Sequence, residues 1–224
     1  MADYGGLAAY HAAVARHDAP WPRAQLLAAA GAERPIFAPG TGWAYSNIGY
    51  LFVREAIEAA TGVALAEALH RIVLAPLGLS SARLATTPAD CADLFWPDLK
   101  TYDPGWVFHG CLIGNPVDAA RLLHALLCGK VLRAETLRLM QEAHALGGVL
   151  PGRPWTRCGY ALGLMAGEMG PAGRAIGHSG GGPHCVNAVY HFPDLAVPVT
   201  IASFTHGAAE GVAEYAAARM AMTV

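Results

Sequence analysis

Two short stretches of the chain combine residue types that could act on a carbonyl group. The first is Tyr45-Ser46-Asn47, which follows a Gly/Pro-rich turn and precedes a helical pattern. A tyrosine hydroxyl can carry a proton, and an asparagine amide both donates and accepts hydrogen bonds toward a substrate. The same residues also fit an ordinary helix start, with Ser46 or Asn47 as the cap. Taken alone, this stretch leaves both interpretations open.

The second stretch is a run of glycines around one histidine and one serine, Gly177-His178-Ser179-Gly180-Gly181-Gly182. Glycines let a backbone approach a ligand closely, and an exposed backbone N–H can donate to a developing oxyanion. The run precedes a strand-like pattern and has no P-loop lysine, so it is not a phosphate-binding loop. A flexible hairpin turn with a surface histidine is the alternative interpretation.

Composition narrows the classes of function. The chain has 224 residues, of which 54% are hydrophobic and 14% charged, enough for a sizeable core. A formal net charge of -2 argues against nucleic-acid binding, because no basic face could neutralise a row of phosphates. No apolar run is long enough to predict a membrane span. The first residues lack the basic and apolar segments of a signal peptide, which indicates the cytoplasm if the chain starts at Met1 and leaves a periplasmic or secreted location open otherwise.

Hydrophobic spacing predicts helices first and strands later. The helices are expected at 7–16, 23–30, 47–60, 64–73, 117–128 and 134–144, with a loop-rich region at 86–114. Short apolar runs punctuated by Gly and Pro predict strands at 159–166, 186–192 and 197–204, arranged as an antiparallel meander. An alanine-rich helix at 208–222 is expected to lie on that sheet. The order of elements favours an α+β fold.

Together, the two stretches and their surroundings resemble the superfamily of serine β-lactamases, penicillin-binding proteins and related esterases. The matching segments are FAPGTGWAYSNIGYLFVREAIEAATG at 37–62, LAPLGL at 74–79, DAARLL at 118–123, GYALGL at 159–164, GHSGGG at 177–182 and FPD at 192–194. The resemblance implies one β-lactamase/transpeptidase-like domain over 1–224, with a helical lobe at about 1–150 and an antiparallel sheet with its covering helix at about 151–224. It also implies that an N-terminal helix and strands of the family are missing here.

The resemblance implies a role for each matching residue of the first stretch. Tyr45 would shuttle the proton of a nucleophilic serine, and Asn47 would bind the amide or ester side chain of the substrate. The reaction implied is acyl transfer, in which a serine attacks an ester, amide or lactam carbonyl and water then releases the acyl group. The implied partner is a small-molecule acyl substrate, with no cofactor, no metal and no partner protein.

The second stretch also carries roles that the resemblance implies. His178, Ser179 and Gly180 would stand where the family has its Lys-Thr-Gly or His-x-Gly triplet, at the edge of the sheet. His178 would be catalytic, Ser179 and Gly180 would bind substrate, and Gly181 would supply one of two oxyanion N–H groups. The esterase and peptidase-like members often carry His rather than Lys at the first position. The resemblance therefore favours these members over a dedicated β-lactamase.

The family's Ser-x-x-Lys nucleophile motif is not found in the chain. The first 44 residues contain neither serine nor lysine, and the only lysines, Lys100 and Lys130, match no motif position. An ordinary tyrosine, with a pKa near 10, is ionised in about one part in a thousand at pH 7, so a neighbouring ammonium is needed to make it an available base. We therefore expect that Met1 corresponds to a position inside the family's sequence, after the nucleophile motif. We also expect that the chain by itself has no appreciable serine-hydrolase turnover.

Two other classes of protein stay open at this stage. A catalytically inactive binding module could keep the cleft and bind small acyl ligands, and an in-frame Ser-x-x-Lys upstream of Met1 would separate this class from the enzyme. A metal enzyme could use His178, His184 and His191 from one hairpin, although no HExxH or CxxC motif accompanies them. Tyr102 and Trp106 are expected in a cleft wall or in the core rather than as specific ligands, and their place in the loop-rich region favours the wall.

Overall fold

The computed structural model describes residues 6–38, 40–182 and 184–223. The chain divides into two compact units, which consist of Met1–Pro76 with Arg83–Ile113, and of Leu77–Ala82 with Gly114–Val224. Within the described ranges, no helix combines the length and apolar character that a bilayer crossing requires. The prediction of a single domain stays a prediction.

The first unit is mainly helical. Its helices are α1 (Ala8–Ala15), α2 (Arg23–Ala29), α3 (Asn47–Thr61) and α4 (Leu65–Leu69), and α4 continues as a π-helical turn over His70–Leu74. A small antiparallel pair, β1 (Arg83–Ala85) and β2 (Cys111–Ile113), brackets the region that was expected to be loop-rich. Helix α3 ends at Gly62, whose φ of 69° is the left-handed conformation that glycine adopts at a helix C-terminus.

Aromatic residues from distant segments form the core of the first unit. The rings of Tyr10, Trp21 and Trp106 meet edge to face, with centroids 5.3 to 6.2 Å apart. The Tyr10 hydroxyl donates to the Trp106 carbonyl at 2.8 Å, which satisfies a buried polar group. Trp106 is only 2% exposed and Tyr102 packs against the same cluster. Of the two alternatives for Trp106, the core is therefore confirmed and the favoured cleft wall is wrong, because the indole is buried among the other aromatic rings.

The second unit is built on a six-stranded antiparallel sheet. The strands are β3 (His144–Gly147), β4 (Arg157–Tyr160), β5 (Met165–Glu168), β6 (Arg174–Gly181), β7 (Cys185–Phe192) and β8 (Val199–His206). They lie in the sheet in chain order, which confirms the predicted meander. Three helices accompany the sheet: α5 (Pro116–Leu127), α6 (Ala134–Met140) and α7 (Glu210–Ala221).

The two faces of the sheet pack against different helices. Alternate residues of β7, from Val186 to Phe192, are buried together with the alanines of α7, and these small side chains let the helix lie close to the strands. On the opposite face, Leu123 of α5 packs with Ile176 and Val189. The expected C-terminal helix on the sheet is thus confirmed, and a second helix covers part of the other face.

Three element boundaries differ from the sequence-based expectations. The strand expected at 159–166 is a hairpin of β4 and β5, because Gly163 adopts a φ of 75° and reverses the chain. The helix expected at 134–144 ends at Met140, and His144–Gly147 pairs with β4 instead. The glycine run that could have been a hairpin turn is mostly extended, since β6 continues through Gly181.

Candidate active site

Tyr45, Ser46 and Asn47 form the start of helix α3 in the first unit. Ser46 is the N-cap: its backbone is extended, and its hydroxyl accepts from the Gly49 N–H at 3.0 Å. The capping interpretation is therefore confirmed for Ser46. The Ser46 hydroxyl thus satisfies the helix end, and the neighbouring Tyr45 hydroxyl donates to Asn47 Oδ1 at 3.2 Å. Tyr45 is 44% exposed.

A compact turn that includes Phe37, Ala38 and residues 40–42 precedes Tyr45. The Phe37 ring lies over Gly42 so closely that a Cβ there would be 2.8 Å from ring atoms. Gly40 has a φ of 77°, and Thr41 donates from both its N–H and its hydroxyl to the Ala38 carbonyl. These contacts explain why the motif needs its phenylalanine and glycines at this spacing. The proline of the motif, Pro39, lies outside the described residues.

His178 is a half-buried residue of β6, a strand that lies between β5 and β7 in the second unit's sheet. Its Nε2 is 2.8 Å from the Tyr160 hydroxyl, and the two rings meet edge to face at 5.6 Å. Tyr160 ends β4, so a residue two strands away along the sheet holds the imidazole. Burial lowers the pKa of His178 below the usual histidine value. The imidazole is therefore neutral at pH 7, the form that can accept a proton.

Glycines around His178 allow the backbone and side chains of β7 to come close. A Cβ on Gly177 would lie 1.9 Å from the Val189 carbonyl oxygen, so only glycine fits at that position. Gly180 lies directly opposite Asn187, whose side-chain nitrogen is 3.1 Å from the place where a Cβ would stand. Asn187 and His178 therefore share one face of the sheet. The sequence pattern gave no sign of Asn187, because its position follows from strand register.

The second half of β6 has a strand neighbour on one side only. Residues 174–177 pair with β5 and the register with β5 stops at Gly177, whereas the pairing with β7 extends to Gly181. Within the described part of the sheet, His178 to Gly181 thus form an edge although β6 is an interior strand. An extended edge of this kind can present backbone N–H and C=O groups to a ligand.

Ser179 and Gly181 lie on the opposite face of the sheet from His178. The Ser179 hydroxyl accepts from Arg153 Nη2 at 2.7 Å and donates to Glu210 Oε2 at 3.2 Å, and the residue is only 2% exposed. A Cβ on Gly181 would lie 3.6 Å from Glu210. The Ser179 side chain is thus occupied inside the protein. If Ser179 contacts a substrate as predicted, its backbone N–H or C=O must make that contact.

Behind this face lies a buried group of charged and aromatic residues that sequence reasoning missed. Glu214 is fully buried and accepts from Arg153, from the Trp155 indole at 3.0 Å and from the Tyr190 hydroxyl at 2.8 Å. Burial would raise the pKa of Glu214, but the bonds from Arg153 and its neighbours outweigh burial and lower it. A signal was present: Glu214 stands in the alanine stripe of α7, where a charge needs a partner.

Two of the three histidines considered for a metal site, His178 and His191, have different hydrogen-bond partners. His191 Nδ1 lies 2.8 Å from the Thr200 hydroxyl, and its ring faces His124 with centroids 6.3 Å apart. His178 is instead bonded to Tyr160. These contacts give no support to a shared site of His178 and His191.

The fold and the two motif stretches define a chain with a helical unit, an antiparallel sheet and a covering C-terminal helix. The sequence model of the Beta-lactamase family matches residues 4–223. The chain therefore belongs to the beta-lactamase family, which confirms the resemblance and the predicted fold class. No curated protein matches the chain.

Solved structures support the same fold. A D-stereospecific amidohydrolase from Streptomyces sp. superposes with a TM-score of 0.77 at 24% identity, over 99% of this chain and 68% of that one. A D-amino acid amidase from Ochrobactrum anthropi SV3 gives 0.71 at 19% identity, over 92% and 66%. An octameric penicillin-binding protein homologue from Pyrococcus abyssi gives 0.68 at 18% identity, over 96% and 52%. The chain thus spans about two thirds of the first two structures and half of the third.

Proposed function

We propose that the chain supplies the substrate-binding residues of a serine hydrolase that transfers an acyl group from an ester, amide or lactam. The single observation that carries the proposal is the end of β6. There, residues 178–181 have a strand neighbour on one side only, and a neutral imidazole is held beside them by Tyr160. An extended substrate can bond such an edge, and an N–H of this edge can donate to an oxyanion.

The proposed roles follow the two motif stretches. Tyr45 carries the proton of the nucleophile, and Asn47 binds the substrate's amide or ester group. The Tyr45 hydroxyl donates to Asn47 Oδ1, so the two side chains given these roles are in direct contact. His178 and the backbone of Ser179 and Gly180 bind the substrate, and the Gly181 N–H stabilises the oxyanion.

We further propose that residues 1–224 by themselves have no appreciable hydrolase turnover. The Ser-x-x-Lys motif is not among them, and loss of the nucleophile costs about 10⁴- to 10⁶-fold in rate in serine hydrolases. One oxyanion donor would be lost with it, because the N–H of the nucleophile supplies half of such a hole.

Turnover assays test the proposed inactivity, and binding experiments test the proposed substrate-binding role of β6. Nitrocefin, p-nitrophenyl acetate and D-phenylalanine amide are incubated with the purified chain and with Tyr45→Phe, and both proteins are expected to match the buffer. The amide is chosen because two similar structures carry amidohydrolase or amidase in their names. Turnover that survives purification and is abolished by Tyr45→Phe would refute the inactivity.

Binding is followed by NMR during titration with D-phenylalanine amide and with ampicillin. The backbone signals of residues 178–181 are expected to shift with at least one of the two compounds, while those of the exposed turn at Gly152 stay in place. Binding without turnover fits both an enzyme that needs a nucleophile motif from elsewhere and an inactive binding module. An in-frame Ser-x-x-Lys upstream of Met1 would then identify the enzyme. If neither compound moves the signals of residues 178–181, their role in substrate binding is rejected.

A further inference from the structure

A buried network joins the covering helix α7 to the candidate site. Arg153 donates from Nε and Nη2 to the two carboxylate oxygens of Glu214, at 2.7 and 2.5 Å. Trp155 and Tyr190 donate to the same carboxylate. Four donor groups therefore surround one fully buried acid. No buried side-chain nitrogen or oxygen among the described residues lacks a hydrogen-bond partner.

The network continues from Arg153 to strand β6. Arg153 Nη2 donates to the Ser179 hydroxyl at 2.7 Å, and Arg153 Nη1 lies 3.0 Å from Glu210 Oε2. Ser179 in turn donates to Glu210. One guanidinium thus contacts two carboxylates of α7 and one hydroxyl of β6. The planar fork of arginine is suited to this, because it presents several donors in a fixed geometry.

The part of β6 that Ser179 anchors has few other contacts to hold it. From Gly177 to Gly181, the only side chains are those of His178 and Ser179. The pairing with β5 has already ended at Gly177, so β7 is the one neighbouring strand in the described sheet. A strand end with one partner and three glycines is expected to open easily. Ser179 is its only side-chain anchor on the face toward α7.

We propose that Arg153, held by Glu214, is a positioning residue that fixes the end of β6 through Ser179. This inference rests on the proposed function, in which the same strand end binds the acyl substrate. Arg153 contacts Ser179 on the α7 face of the sheet, whereas the His178 side chain lies on the other face and the backbone groups proposed to bind substrate lie at the edge of β6.

Hydrogen exchange of the intact chain tests the anchoring directly. Ser179→Ala removes the hydroxyl and leaves Arg153 paired with Glu214, whereas Ser179→Thr keeps a hydroxyl at the same position. In Ser179→Ala the amides of residues 178–181 that bond to β7 are expected to exchange about tenfold faster, the equivalent of one lost hydrogen bond. The amides of Tyr190 and His191 are expected to keep the exchange rates of the parent protein. Ser179→Thr is expected to restore slow exchange.

The ring of His178 provides the readout that separates positioning from strand stability. In Ser179→Ala the NMR titration of His178 is expected to move toward that of an ordinary histidine, because the ring leaves its half-buried place beside Tyr160. Arg157→Gln, which removes an exposed ion pair with Glu168 in the same sheet, is the control and should leave both readouts unchanged.

Each result decides the proposal. Faster exchange confined to residues 178–181 together with a moved His178 titration supports it. Unchanged exchange, faster exchange over the whole sheet, or local exchange with an unmoved His178 titration overturns it. None of these readouts depends on catalysis, so a failure of the proposed hydrolase function would appear in the turnover and binding tests and not here.

Arg153→Lys is a second variant, and it should loosen the same strand end because an ammonium lacks the fork that reaches Glu214 and Ser179 together.

Discussion

The chemistry of single residues in this protein is set by their neighbours. Ser46 and Tyr45 are adjacent in sequence, but the serine hydroxyl caps helix α3 and the tyrosine hydroxyl bonds to Asn47. His178 and Ser179 are also adjacent, but strand alternation sends the imidazole toward Tyr160 and the hydroxyl toward Arg153. A motif that reads as one unit in sequence therefore contains side chains with separate tasks.

Substitutions in the first motif should separate these tasks. Ser46→Ala removes the N-cap and is expected to lower the free energy of unfolding by about 1 kcal/mol. Tyr45→Phe removes only a hydroxyl from a 44% exposed side chain, so its effect should stay below about 0.5 kcal/mol. Urea denaturation followed by circular dichroism measures both. A larger loss for Tyr45→Phe than for Ser46→Ala would mean that Tyr45 is chiefly a structural residue.

At the scale of elements, strand β6 is the part of the molecule where close approach matters most. Gly177 packs against the backbone of β7, and Gly180 faces the flexible end of the Asn187 side chain. The two glycines belong to one motif, but a Cβ on Gly177 would contact backbone atoms and a Cβ on Gly180 would contact a side chain. Their tolerance of a methyl group should differ accordingly.

Gly177→Ala should be much more damaging than Gly180→Ala. The alanine Cβ at 177 would overlap the Val189 carbonyl oxygen, and the backbone shift this requires is expected to cost about 3 kcal/mol or more. At 180 the Asn187 amide can move, so a change below about 1 kcal/mol is expected. Thermal and urea denaturation give the comparison. Equal losses for the two variants would show that β6 and β7 are not paired as described.

Helix α7 depends on the partners of its buried acid. Glu214→Gln removes one charge and leaves Arg153 without its buried partner, and breaking such a pair typically costs about 3 to 5 kcal/mol. The matched control is Glu168→Gln, which removes the exposed partner of Arg157 and should cost less than about 1 kcal/mol. Chemical denaturation measures both. Equal effects would show that Glu214 does not carry a buried charge.

At the scale of the whole molecule, the shifted groups predict a common response to acid. Burial lowers the pKa of His178 and of His191. Hydrogen bonds lower the pKa of Asp118 and bring that of Asp90 to about 2, and Arg153 keeps that of Glu214 low. In each case the unfolded chain takes up a proton at a higher pH than the folded chain does. Acidification therefore favours the unfolded state.

The free energy of unfolding should thus fall in two stages. It should begin to decrease as the pH drops below about 6.5, where unfolded histidines gain protons, and decrease more steeply below about 4, where unfolded carboxylates do so. Urea denaturation at a series of pH values measures this profile. His178→Gln should weaken the first stage and leave the second. A free energy that is constant or rises between pH 7 and pH 5 would contradict the histidine assignment.

Much of the fold was predictable because its elements have strong local signals. The apolar spacing of α3, the glycine after it and the alanine-rich α7 each specify a helix without help from distant residues. The boundary at 134–144 and the hairpin at 159–166 were wrong for the opposite reason. Strand β3 exists because β4 lies beside it, and the reversal at Gly163 depends on a turn within a continuous apolar run.

The sequence by itself determined the family, the order of elements and the residues of the two motifs, because these depend on residue type and spacing along the chain. Only the tertiary structure decided that Tyr160 holds His178, that Asn187 lies opposite Gly180, and that Ser179 is tied to Arg153 and Glu214. Tyr160 and His178 are 18 positions apart in the sequence, and Arg153 and Glu214 are 61 positions apart. These contacts follow from strand register and from which face of the sheet each side chain occupies, and neither can be read from one local stretch.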